Sequence, residues 1–156
     1  MIYVKWLKWS ILKLEIVAKC LYCYTVYMNI DYFKSLAING GALMALDYPF
    51  LMFITTYFYN DLVPRLTGVP FNVEMNIRNI ASIAIAYLAM TLGLKELAVD
   101  DRSAALLGLV IYGVYSFTNM VVFQSWDWRL AVIETLWGGL LYFMARRLVI
   151  YLQGMF

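Results

Sequence analysis

Two carboxylates and a set of hydrogen-bonding side chains interrupt runs of sequence that are otherwise apolar. Asp47 stands two residues before Pro49, about midway through one run, and Glu134 stands one turn into another, on the helical face of Trp137, Gly138 and Leu141. In a third run Gly108, Tyr112, Tyr115, Ser116 and Asn119 fall at offsets 0, 4, 7, 8 and 11, one stripe of a helix with a glycine notch. Unsatisfied polar groups in hydrocarbon are costly, so such residues must face protein or a cavity. A carboxylate so placed either holds a proton or is bonded by Tyr, Asn, Trp or Arg donors. Pro49 frees a backbone carbonyl one turn earlier, an extra acceptor beside Asp47, while Arg129 can draw Glu134 toward the membrane interface. Two chemistries fit. The groups can serve as polar glue between helices, or they can line a small cavity that orients a ligand head group, a proton, an ion or a water chain.

Other chemistries lack their residues. Histidine is absent from the chain, which removes the commonest general base and metal ligand, and no metal or cofactor is expected. Cys20 and Cys23 form a CxxC without further ligands or a thioredoxin-like context. They read as small apolar helix residues, with lipidation the main exception. A net charge of +2 without a basic face does not point to nucleic acid.

The elements that must position these residues follow from composition. With 156 residues, 64% hydrophobic and 14% charged, and a mean hydropathy of +0.74, the chain reads as a multi-pass integral membrane protein. A spanning helix needs roughly 20 apolar residues, and four segments qualify, at about 36–59, 76–94, 103–123 and 130–152. Turn and charge signals separate them: Asn60-Asp61 with Pro64 and Pro70, then Lys95-Glu96 and Asp100-Asp101-Arg102, then Gln124 to Arg129. The expected fold is therefore all-α, a four-transmembrane-helix bundle over 36–152 without a second domain. Nine Lys and Arg fall on the side of the termini and three (Arg65, Arg78 and Arg129) on the other, which predicts both termini to be cytoplasmic. Trp126, Trp128, Tyr57 and Tyr59 lie near span ends and read as interfacial anchors.

Residues 1–30 are apolar but regularly charged. Lys5, Lys8, Glu15 and Lys19 share one helical face, with Trp6, Trp9, Leu14, Ile16 and Val17 largely on others. That pattern predicts an N-terminal amphipathic interfacial helix on the membrane surface rather than a fifth crossing. Lysines continuing through the segment also argue against a cleaved signal peptide.

The run from Gly108 to Asn119 (GLVIYGVYSFTN), followed by Trp126 and by Glu134-Thr135-Leu136-Trp137-Gly138, resembles the small bacterial four-span membrane proteins of domain-of-unknown-function family 2177. The family pattern is similar to GLVxYGxYDxTN, a Trp, then D-x-x-W-G. Weaker agreement reaches back to Asp47 and Phe58-Tyr59, so the resemblance covers roughly residues 36–147. Family members usually carry Asp where this chain has Ser116 and Glu134. The resemblance implies a four-helix membrane fold and a recurrent polar cluster, with no activity attached.

The residues expected to form that cluster are Asp47, Tyr112, Tyr115, Ser116, Asn119, Glu134 and Trp137. Three function classes follow, in rank order. The first is a structural or accessory subunit, a membrane component of a larger assembly such as an envelope or virion, with the lipid bilayer and protein partners or self-association as its contacts. The second is a small transporter or a lipid- or small-ligand-binding module built on the polar cluster. The third is an intramembrane enzyme, for which Asp47 and Glu134 alone offer acid–base groups without a nucleophile–base pair.

Overall fold

The computed structural model describes residues 30–72 and 74–155, so the expected amphipathic helix over 1–30 and the Cys20–Cys23 pair lie outside the described residues, apart from Ile30. The chain divides into two compact units, 1–35 and 36–156. The described residues are helical, without strands. The helices are α1 (Ile30–Thr67), α2 (Ile77–Leu97), α3 (Asp101–Val122) and α4 (Trp128–Gln153).

Three of them, α1, α2 and α3, are long and apolar enough to cross a membrane. Of the four segments expected, the one at α4 does not meet that measure of length and composition. Its inward face carries Glu134, Gly138, Gly139 and Tyr142, and these lower its hydropathy although they are buried in protein.

The first helix also departs from expectation, because it does not stop at Tyr59. It runs through Asn60, Asp61 and Pro64 to Thr67. Asp61 and Arg65 pair one turn apart along this stretch, and Gly68 then ends it at φ 72° with its N–H on the Pro64 carbonyl at 2.9 Å. That left-handed position suits glycine because no Cβ opposes it. Upstream, Thr55–Tyr59 is a π turn, closed by the Asn60 N–H donating to the Thr55 carbonyl five residues back.

The π turn sets which residues face inward. Before it, Asn39, Leu43, Asp47 and Ile54 are buried at helical spacing. Continued at about 100° per residue, that face would next hold Phe58, Asp61 and Arg65. The wider turn absorbs about one residue of phase. Leu62 is consequently buried, and Asp61 and Arg65 keep their side chains 73% and 59% exposed.

Caps fix the other helix starts. The Asn76 side chain accepts from the Asn79 N–H at 2.9 Å, and Asp127 accepts from the Arg129 N–H at 2.8 Å. Asp100 and Ser103 form a reciprocal capping box. The connections are short, three residues between α2 and α3 and five between α3 and α4, which makes successive helices antiparallel neighbours.

The closest packing is between α3 and α4. A Cβ built on Gly108 would lie 1.9 Å from the Gly138 carbonyl oxygen, and one on Gly139 would lie 2.7 Å from Leu109 Cγ. Backbones at this spacing exclude any larger residue. The main core lies alongside, where Ala42, Leu43, Leu94, Ala104, Leu141 and Tyr142 are buried together. A smaller cluster joins Ile54, Leu62 and Leu130.

Candidate functional site

Asp47 is buried by α1 at 3% exposure and accepts hydrogen bonds from each of the other three helices. Tyr87 of α2 donates its hydroxyl to Oδ2 at 2.8 Å, Tyr112 of α3 donates to the same oxygen at 3.3 Å, and Trp137 of α4 donates its indole N–H to Oδ1 at 2.8 Å. Phe50, one turn beyond Asp47, stacks on the Trp137 ring with centroids 4.4 Å apart and planes 10° from parallel. The carboxylate thus sits under an aromatic cover with three donors of fixed direction. In a low-dielectric interior, that is what makes a buried acid tolerable.

Glu134 forms a second, separate group. The Tyr59 hydroxyl donates to Oε1 at 2.5 Å, and the Ser116 hydroxyl donates to Oε2. Tyr59 reaches it because the π turn rotates that end of α1 inward. Trp126 packs close by, its ring centroid 6.4 Å from Tyr59 and edge-on to Tyr115 at 6.3 Å. Glu134 and Trp137 are about one turn apart on one face of α4, so this helix carries a member of each group.

The expected cluster is therefore divided in two. Asp47, Tyr112 and Trp137 come together in one group, and Ser116 and Glu134 in the other. Asn119 is half-buried and accepts the Phe123 N–H at its backbone carbonyl. Tyr115 is 54% exposed although its spacing places it on the inward stripe. Nearer the α2–α3 turn, Thr91 and Leu94 of α2 are buried. Farther along, a cleft of about 400 Å³ opens between Ala86, Ala89 and Met90 of α2 and Ile111, Tyr112 and Tyr115 of α3.

Two members were missed from sequence. Tyr87 is the sole tyrosine of α2, and a lone tyrosine inside an apolar run was the available signal. Tyr59 read as an interfacial anchor because it lies near a span end, and a regular 3.6-residue period would turn it away from Asp47's face.

A third polar group closes one end of the bundle. Arg146 donates to the Val99 carbonyl at 2.6 Å and lies 3.8 Å from Asp101, which also pairs with Arg147. Outside the apolar segments, Asp100 has its carboxyl held below the ordinary range by the Ser103 backbone N–H, with a further contribution from the Ser103 hydroxyl. Among the described residues, no three His, Cys, Asp or Glu side chains are gathered as a metal ion would require.

Both carboxylates are thus acceptors whose donors come from the protein itself. This arrangement fastens helices to one another. A family model described as "Predicted membrane protein (DUF2177)" matches residues 32–150, and the chain belongs to that family of membrane proteins. No curated protein and no solved structure matches the chain.

Proposed function

We propose that this member of the family is a structural or accessory membrane subunit: a four-span bundle, with both termini cytoplasmic and residues 1–30 along the membrane surface, that acts through protein partners or self-association. The observation that carries the reading is the Asp47 group, in which one carboxylate is occupied by donors from all three other helices. Donors committed to helix contacts are not available to a passing cargo.

A spanning role for α4 is supported by its length, 26 residues or about 39 Å at 1.5 Å per residue, and by its inward polar face. Of its arginines, Arg129 lies at its start, and Arg146 and Arg147 lie about two turns before its other end. A second reading, a lipid- or small-ligand-binding module, is favoured by the cleft between α2 and α3.

The test is stability beside assembly. Asp47→Asn and Tyr87→Phe in the full chain should each lower the resistance of the purified protein to unfolding, and extraction in a mild detergent should yield a species larger than one copy. Monomers whose Asp47→Asn variant is as stable as the parent would oppose the subunit reading. Cysteine labelling near Lys34 and Arg147 from the outer side of the membrane should fail, and successful labelling would overturn the orientation.

A further inference from the structure

We propose that the cleft between α2 and α3 holds one acyl chain of a bilayer lipid. This deepens the binding-module reading above and rests on it.

The walls lie at mid-helix, at residues 86–90 of Ile77–Leu97 and 111–115 of Asp101–Val122. Both helices are long and apolar enough to cross a membrane, so the cleft stands at the depth of lipid tails. Its lining is almost wholly apolar. A polar occupant would give up its hydration there with little to replace it. At about 400 Å³ the space falls within the range that holds small ligands.

Continuity with the lipid-facing surface identifies the occupant. The cleft is flanked by Ile85 and Leu88 on α2 and by Val110 and Val114 on α3, exposed by 67%, 49%, 59% and 64%. Ala86 and Ala89 have too little bulk to close the gap from the α2 side. A methylene chain entering from the bilayer restores the dispersion contacts that an empty cleft forfeits.

Tyr112 links this site to the buried acid. Its ring forms part of the wall, and its hydroxyl makes the longest of the three bonds to Asp47, at 3.3 Å against 2.8 Å for the others. A chain packed in the cleft backs that ring and keeps the hydroxyl on Asp47.

The experiment places the full chain in phosphatidylcholine nanodiscs containing a phosphatidylcholine with a photoreactive group within one acyl chain, and maps the crosslinks by mass spectrometry. Labelling should concentrate on residues 86–90 and 111–115 over the outer faces at Leu106 and Val121. It should be lost from the cleft, but not from those outer faces, in Ala89→Phe. Ala86→Leu serves the same purpose if Ala89→Phe does not fold. Labelling spread evenly over the lipid-facing surface of the parent chain, or unchanged by a folded cleft-filling variant, overturns the acyl-chain site. If instead the cleft stays unlabelled and also takes up no small apolar probe such as benzene, the binding-module reading falls with it.

Discussion

The Trp137 indole N–H donates to Asp47 Oδ1 at 2.8 Å across the α1–α4 contact, joining residues 90 positions apart in the chain. Because Phe50 stacks on the same ring, a substitution can remove the bond and keep the packing. Trp137→Phe should lower stability by about 1 kcal/mol, the usual size of a hydrogen bond between membrane helices. Asp47→Ala should lower it further, since three donors then lose their acceptor. Denaturant titration in micelles reads both, and an Asp47→Ala variant no weaker than Trp137→Phe would contradict the hub role of Asp47.

Glycine sensitivity should be sharply local. Gly108→Ala places a methyl group 1.9 Å from the Gly138 carbonyl oxygen, a backbone atom that cannot swing aside. The α3–α4 pair must then separate, pulling Ser116 from Glu134 and Tyr112 from Asp47. Gly41, with nothing within 4 Å of its built Cβ, should accept alanine without loss. Thermal unfolding of the two variants checks the contrast, and equal effects would disprove it.

Acid should loosen the start of α3. The Asp100 carboxyl is held below its ordinary range by the Ser103 N–H, and an unfolded Asp titrates near about 3.9. A folded value below the unfolded one means that the cap's contribution is fully present above about pH 4 and is lost as pH falls through the folded value. Protection of the amides of residues 103–105 from exchange, taken against the intrinsic rate at each pH, should therefore fall under acid conditions. The comparison is with Asp100→Asn, which still caps but cannot be protonated. The same loss of protection in that variant would place the effect outside the Asp100 cap.

How much of this was legible in sequence depended on whether a residue obeyed a regular period. Asp47 and Glu134 stood out because charge inside an apolar run is conspicuous whatever the helix phase. Gly108 and Gly138 were visible as small residues on faces already marked polar, although sequence does not tell that their backbones touch. Tyr115 stands on the expected stripe and is edge-on to Trp126, yet it is 54% exposed, because periodicity gives direction around α3 and says nothing of whether a neighbour covers that direction. Tyr59 read as an anchor from its place near a span end, and nothing in the sequence marks the π turn that brings it inward.

That phase shift yields the most specific prediction. The π turn accommodates one residue more than a regular helix would, so deleting Tyr57, which is 69% exposed, should let Thr55–Tyr59 close as ordinary helix. Tyr59, Leu62 and Leu66 would keep their inward positions. Deleting Leu88 of α2, 49% exposed, has no such slack to use and would rotate Thr91 and Leu94 out of the core. The Tyr57 deletion should fold and the Leu88 deletion should not. Tyr59→Phe should then weaken the shortened chain as much as it weakens the parent, because the bond to Glu134 persists in both. If the Tyr57 deletion fails to fold, or folds but no longer responds to Tyr59→Phe, the π turn is not what aims Tyr59 at Glu134.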